Sequence, residues 1–371
     1  MEKIKINSNK KKYDLYVYIT KFKYIIFIIT LFINETIRLT YKRIGIVGLP
    51  HSTNIGNNLL KYAIYIKLSE LGLKPYIIGE RYNRDNISFI LSKVKVRLIT
   101  KGFTEINKTD YDILMVNSDQ TWRRNCAKFF YDIAFLSFAK NWDIPKFVYG
   151  ASLGVDAWEY NKDEENFIKS IVKKLNGISI REKGSINLIE THLGIKPTFV
   201  LDPTLLINKK YYLNLIKNFR IDNVIDNNFI FIYALTNSNE LHYLIKNVTE
   251  KKNYTIYLIN INMINHIQKF LYGIYKSKAV ITDSYHGTIF SIIFNKPFII
   301  YVSKDRGKER FNSLLEIFNL QERFFNYDFY PDINLLQKPL NLNKNIFNSL
   351  KKKSIRFLKK NLFISKLNSI Y

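Results

Sequence analysis

Two periods of apolar and polar residues alternate along the chain. Short runs rich in Ile, Val, Phe and Tyr, each ending in glycine or small polar residues, read as strands. The segments between them repeat apolar residues every three or four positions and read as helices. Strands are predicted at RIGIVGL (43–49), KPYIIGE (74–80), DILMVNS (112–118), KFVYGAS (146–152), ISIRE (178–182) and TFVLDPTLL (198–206). A helix is predicted over 59–72, where Leu60, Ile64, Leu68 and Leu71 share a face and Gly72 stops it, and others over 166–177 and 184–194. A second set follows, with strands at 228–235, 254–260, 279–284 and 297–302 and helices at 239–252, 267–278, 288–295, 309–320 and 345–363. Strands joined through helices need crossover connections, and crossovers make parallel sheets. The pattern therefore predicts an α/β chain of two domains, 44–206 and 207–340, with a crevice between them. A basic, partly helical extension (1–43) precedes them and a basic helix (341–371) follows.

Composition narrows the class. The chain has 371 residues, 47% of them hydrophobic and 15% aromatic, enough for two cores and unlike a disordered chain. Its 57 Lys and Arg against 31 Asp and Glu give a formal charge of +26, which favours anionic partners. Abundant Lys, Ile, Asn, Tyr and Phe also fit a coding bias that leaves many lysines simply solvated. No zinc-finger spacing, basic zipper or RNA-recognition signature is present, so nucleic acid is not an expected partner. The single Cys126 excludes an internal disulfide and suits a reducing cytoplasm. No H-E-x-x-H or similar spacing points to a metal. The apolar run from Tyr24 to Ile33 is about half the ~20 residues that a spanning helix needs. Flanked by Lys21, Lys23, Arg38, Lys42 and Arg43, it fits either a helix packed on the body or one lying in a membrane interface.

In open parallel sheets, ligands bind beyond the carboxyl ends of the strands. Five polar clusters fall there. In STNIGNN (52–58), Asn54, Gly56 and Asn57 precede a helix, offering free N–H groups to an anion or a hydroxyl, or forming an ordinary capped turn. In NSDQTW (117–122), Ser118, Asp119, Gln120 and Trp122 fit a sugar site, with the indole against the ring face, or a cap with a core tryptophan. Arg181 closes an apolar strand, where guanidinium is costly unless paired. It suits a substrate carboxylate, or an ion pair with Glu182 or Asp202. In LDPTLL (201–206), Asp202 and Pro203 read as structural. In ITDSYHGTIFSIIFNKPFIIY (281–301), Ser284, His286 and Gly287 stand where a strand becomes a helix. The helix N-terminus suits phosphate, Gly287 allows close approach, and the imidazole can donate a proton or a hydrogen bond. Lys304, Arg306 and Arg310 lie beyond the next strand and either complete an anion cradle or face solvent. Among the other histidines, His51 is near the first loop, while His192, His242 and His266 read as structural or exposed.

Taken in order, GIVGLPHSTNIGNNLLKYAIYIKL, NSDQTW, YDIAFLSFA, VYGASLGV, ISIREKGSINLI, VLDPTLLI, ITDSYHGTIFSIIFNKPFI and RFNSLLEIFNL resemble the polysaccharide pyruvyl transferase family. The resemblance runs from about Ile44 to Leu320. It implies two Rossmann-like domains in a GT-B-like arrangement with a cleft between them, and transfer of a pyruvyl group from phosphoenolpyruvate to a sugar, usually as a ketal. It implicates an arginine at Arg181, a histidine at His286 and a later lysine, for which Lys304 is the nearest match. Asn117 departs from the family's usual glycine, and Arg123 and Arg124 follow Trp122 in place of its asparagine.

The expected roles follow. His286 serves as acid or phosphate partner and Arg181 as carboxylate clamp. Asp119 and Gln120 orient the acceptor, with Asp119 a candidate base. Asn54, Gly56, Asn57, Ser118, Trp122, Ser284, Gly287, Lys304 and Arg310 complete the binding surface. The expected partners are phosphoenolpyruvate and a saccharide or lipid-linked oligosaccharide, with no separate cofactor and no metal. The expected location is the cytoplasm, with peripheral contact at the inner face of the plasma membrane. Two other classes are weighed: a GT-B glycosyltransferase with a nucleotide sugar, which the same architecture and helix-terminus anion site would serve, and a non-catalytic membrane-associated scaffold using the basic ends, against which the polar clusters at strand ends argue.

Overall fold

The computed structural model describes residues 20–26, 42–48, 54–80, 89–117, 119–128, 130–220, 228–236, 238–252, 254–259, 266–301, 308–325, 332–342 and 344–362. The alternating pattern resolves into two parallel sheets. The first takes strands β1 (Arg43–Val47), β2 (Lys74–Glu80), β3 (Val96–Ile99), β4 (Ile113–Val116), β5 (Lys146–Ala151), β6 (Gly177–Ile180) and β7 (Thr198–Phe199), in the order β3-β2-β1-β4-β5-β6-β7. The second takes β8 (Phe229–Tyr233), β9 (Thr255–Ile259), β10 (Ala279–Thr282), β11 (Phe298–Tyr301) and β12 (Phe324–Phe325), in the order β12-β11-β10-β8-β9. Central strands β1, β4, β5, β8, β10 and β11 are apolar and largely buried, as strands covered on both faces must be. The order reverses between β1 and β4 and between β8 and β10, which opens a crevice at the strands' carboxyl ends in each domain.

Both helices at those crevices start earlier than their apolar period predicts. Helix α1 spans Ile55–Glu70 rather than starting at Leu59. Asn54 caps it, its side chain accepting from the Asn57 amide at 2.9 Å. The polar residues Asn57, Asn58 and Lys61, which look like loop and surface, are buried within it. The later helices of nine residues or more are α2 (Lys162–Val172), α3 (Ser185–Leu193), α4 (Asn239–Lys252), α5 (His266–Lys276), α6 (Tyr285–Ile293), α7 (Glu309–Phe318) and α8 (Lys344–Leu362). Helix α6 was expected from Thr288, but Ser284 caps it, and Tyr285, His286 and Gly287 form its first turn. The predicted strand over 198–206 ends at Phe199, because Asp202 and Pro203 start a 3-10 turn over Pro203–Leu205. Strands β3 and β12, both at sheet edges, were not predicted.

The two lobes share an unbroken apolar core, and aromatic contacts cross between them. Tyr62 of α1 meets Tyr212 at 6.3 Å, Tyr212 meets Phe290 of α6 edge-on at 4.8 Å, and Phe290 meets Phe270 of α5 at 5.6 Å. Helix α8 returns from the second lobe to the first. Phe347 packs on Phe318 of α7 at 5.5 Å, and Phe357 lies 6.3 Å from Phe147 and 6.2 Å from Tyr149 of β5. Ser354 Oγ accepts from the Leu201 amide at 2.9 Å. The crevice ends of the sheets are thus held face to face by apolar packing on one side. Of the N-terminal extension, Lys42 and Arg43, which already opens β1, are described, and so are residues 20–26. Residues 20–26 are helical, with Phe22, Tyr24, Ile25 and Ile26 exposed, and the rest of the apolar run lies outside the described residues. No helix among the described residues is long and apolar enough to cross a membrane.

Candidate active site between the lobes

The N-termini of α1 and α6, one from each lobe, meet at a glycine. Gly56 lies against His286, and a Cβ there would collide with the imidazole. The helix ends carry free N–H groups and the positive end of the helix field, so the junction favours an anion.

Beside it lies a buried charged cluster drawn from both lobes. Arg181 follows β6 directly, its guanidinium wholly buried. It donates to Asp202 Oδ2 at 2.5 Å and, from its other terminal nitrogen, to Asp119 Oδ1. Its guanidinium also lies 4.7 Å from the centre of the Tyr285 ring. Arg310 of α7 reaches the same ring at 5.3 Å and places Nη1 3.6 Å from Asp119 Oδ1. His286 Nε2 lies 3.8 Å from Asp202 Oδ2. Two guanidiniums, two carboxylates, a phenol and an imidazole thus converge from the ends of β4, β6, β7 and β10 and the start of α7. Three polar atoms in the cluster are buried without a hydrogen-bond partner: Arg181 Nε, Arg310 Nε and His286 Nε2. Buried polar atoms are normally paired, so unpaired ones converging on one place point to a ligand.

The charges set the protonation states. Burial works against the Arg181 charge, but the carboxylates of Asp119 and Asp202 outweigh it and hold its pKa above the ordinary value. Burial raises the Asp119 pKa, yet Arg181 and then Arg310 outweigh that and hold it well below the usual carboxylate range. Arg310 is lowered by burial, which Asp119 partly opposes. His286 is lowered by burial as well, with Asp202 and Asp119 raising it and the two arginines lowering it further. Without a ligand the imidazole is therefore neutral near neutral pH. Lys61 on α1, buried beside Asn57 and Asn58 on the same helical face, is pulled down by burial to about 7.

Several expected site residues sit elsewhere. Trp122 is not a sugar platform: it is 1% exposed, inside a second apolar cluster confined to the first lobe, with its indole N–H donating to the Ala134 carbonyl at 2.8 Å. Gly287 does not make room for a ligand. A Cβ there would collide with Thr282, so it permits α6 to pack on β10. Ser284 Oγ accepts from the Gly287 amide at 3.3 Å, which makes it the cap of α6, as Asn54 caps α1. Asn57 is buried in α1. Gln120 has a left-handed φ of 34° and lies over Gly154 at the crevice, half-buried. Asp119 is a poor base in this arrangement, since two guanidiniums stabilise its ionised form. Glu182 does not pair with Arg181; it accepts from Ser152 Oγ, from the Gly154 amide at 3.1 Å and from Ser185 Oγ at 2.9 Å. Asp283 is likewise occupied, tying β10 to the end of β8 through the Leu235 and Thr236 amides at 2.7 and 2.9 Å. Ser118, Lys304, Arg306 and His51 lie outside the described residues.

Sequence reading missed Tyr285 and Lys61, while of the two ion-pair partners offered for Arg181 it is Asp202 that pairs. Tyr285 adjoins His286 in the motif, and that adjacency was the available signal. Asp202 holds its structural place, accepting from the Thr204 amide at 2.9 Å, while also touching the arginine.

Known proteins resemble this chain at two levels. A search of curated proteins finds no match by sequence. Among solved structures, the S. aureus MnaA–UDP co-structure superposes with a TM-score of 0.51 at 11% identity, covering 88% of this chain and 97% of that one. Arabidopsis thaliana UGT89C1 complexed with UDP-L-rhamnose gives 0.51 at 10% identity, covering 86% and 97%. At such identities the likeness is one of fold: two Rossmann-like domains in a GT-B-like arrangement. The family model for polysaccharide pyruvyl transferase matches residues 54–305, more than half of the chain. That span takes in both helix N-termini at the crevice, Asp119, Arg181 and His286, and stops short of Arg310. The chain belongs to the polysaccharide pyruvyl transferase family.

Proposed function

We propose that the protein transfers the pyruvyl group of phosphoenolpyruvate to two hydroxyls of one sugar, forming a pyruvate ketal on a cell-surface polysaccharide or its lipid-linked precursor. The observation that carries this reading is the convergence of Arg181, Arg310 and His286, buried and each with an unpaired nitrogen, at the joined N-termini of α1 and α6. Phosphoenolpyruvate is small and carries a carboxylate and a phosphate. Planar guanidiniums suit the carboxylate, and a helix N-terminus suits the phosphate.

The chemistry then needs one proton at the methylene carbon and a route for phosphate to leave. Bound donor adds negative charge beside His286 and raises its pKa, so the imidazole becomes protonated in the complex. It gives that proton to the methylene carbon, or reaches the phosphate, while the carbon bearing phosphate gains positive character. A sugar hydroxyl adds there and the C–O bond to phosphate breaks. A second hydroxyl closes the ketal, and the two hydroxyl protons replace the one spent on carbon and protonate the departing phosphate. The acceptor approaches from the side of Gln120, where the cluster meets solvent.

A cytoplasmic enzyme beside an anionic membrane face suits the surface. Helix α8 carries no acidic residue and exposes Lys352, Lys353, Arg356, Lys359 and Lys360. The test is incubation with phosphoenolpyruvate and candidate oligosaccharides, measuring phosphate release and the mass of the product. His286→Ala should lower turnover by about 10² to 10⁴ with the fold intact. Transfer of a sugar from a nucleotide sugar, with phosphoenolpyruvate inert, would establish the glycosyltransferase reading instead.

A further inference from the structure

The anion seat between the lobes is already filled by the protein's own carboxylate. Asp119 Oδ1 accepts from Arg181 and lies 3.6 Å from Arg310 Nη1, so one oxygen faces guanidiniums from opposite lobes. With Asp202 beside Arg181, two carboxylates balance two guanidiniums. A donor with a carboxylate and a phosphate cannot simply be added to a buried, balanced cluster, because uncompensated charge in a low dielectric is strongly unfavourable. One internal carboxylate has to leave.

The two candidates differ. Asp202 has no exposed side-chain surface, and its Oδ1 also holds the Thr204 amide at 2.9 Å and hydroxyl at 2.6 Å. Asp119 is the exposed member of the cluster, at 16% of its side chain, against 0% for Arg181, 4% for His286 and 8% for Arg310. It sits on the turn after β4, beside Gln120 in its left-handed conformation. Behind it, the apolar contacts from Tyr62 to Phe290 keep the lobes together, so the exchange needs only a local movement.

Resting on the donor reading above, we infer that Asp119 is a placeholder that occupies the donor's carboxylate seat between Arg181 and Arg310 and swings out toward solvent when the donor binds. It tunes affinity downward: only molecules with the seat vacated accept the donor, so the apparent affinity is reduced by that fraction. Tyr285, under both guanidiniums, keeps them in place when the carboxylate leaves.

The test is calorimetric titration of the full chain with phosphoenolpyruvate, at fixed ionic strength, for wild type, Asp119→Asn and Asp119→Glu. Asp119→Asn should bind about tenfold or more tightly than wild type, and Asp119→Glu, which keeps the competing charge, should stay near wild type. Equal or weaker binding by Asp119→Asn overturns the inference. Parallel titrations with UDP and with inorganic phosphate separate the two readings. Tight binding of phosphoenolpyruvate to wild type and Asp119→Asn alike leaves the donor reading standing and removes the placeholder. No phosphoenolpyruvate binding, with UDP bound more tightly by Asp119→Asn, keeps the exchange and removes the pyruvyl donor. Should Asp119→Asn not fold, Asp119→Ser in the same titrations decides by the same outcomes.

Discussion

Gly56 shows how one residue can matter through what it lacks. Its position in the first turn of α1 would favour alanine by about 1 kcal/mol on helix propensity alone. Yet a Cβ there would drive into His286, which is enclosed and has nowhere to retreat. Gly56→Ala should therefore lower the melting temperature, because overpacking costs about 1 to 3 kcal/mol against that gain, and lower turnover by about a hundredfold through displaced imidazole. Turnover near wild type in a folded Gly56→Ala protein would mean that the imidazole's position does not matter. His286 itself predicts a pH dependence. Burial first, and the arginines after it, lower its pKa in the free enzyme, whereas bound donor raises it. A group that must donate a proton loses activity as pH rises through its pKa. The high-pH fall of kcat/KM, which reports the free enzyme, should therefore lie below the ordinary imidazole value. The fall of kcat, which reports the complex, should lie at higher pH. Coincident limbs in the two profiles would contradict this.

At the scale of elements, the periodicity carried most of the fold, and its failures share one cause. Strands such as β5, β8 and β10 are apolar on both faces, so they stand out from the helices between them. Strand β3 (VRLI) is an edge strand with Arg97 and exposed Leu98, which blurs the pattern. The starts of α1 and α6 were misplaced because Asn57, Asn58, Tyr285 and His286 are polar yet buried, and residue-by-residue hydropathy reads such groups as loop. Those misplaced starts mark the candidate site. His286, Arg181 and Asp119 were legible because each ends an apolar strand or opens a helix with a costly polar group. Their mutual contacts were not legible, since the Tyr285–Arg310 and Gly56–His286 pairs depend on how two lobes meet. The return of α8 to the first lobe was equally hidden in a helix that reads simply as basic. Its grip can be measured: Phe357→Ala removes a buried ring packed on Phe147 and Tyr149 and should cost about 3 to 5 kcal/mol in urea unfolding. A loss under about 1 kcal/mol would show that the helix does not staple the lobes.

For the whole molecule, two features act together. The lobes are joined by a continuous apolar core and by α8, so their strand ends stay opposed. Across the polar side, α7 reaches the loop after β6: the Gly184 amide donates to Glu309 Oε1 at 2.9 Å, and the Lys183 amide donates to Ser313 Oγ at 2.9 Å. That loop directly follows Arg181, and α7 carries Arg310, so the same contacts that join the lobes set the spacing of the two guanidiniums. In the proposed reaction, groups from both lobes hold a single small anion. A crystal structure determined with phosphoenolpyruvate tests it most directly. The carboxylate is expected between Arg181 and Arg310, with Asp119 turned away, and the phosphate at the N-terminus of α6 beside His286. Phosphoenolpyruvate bound to one lobe alone, with Arg181 still engaged only by Asp119 and Asp202, would contradict it.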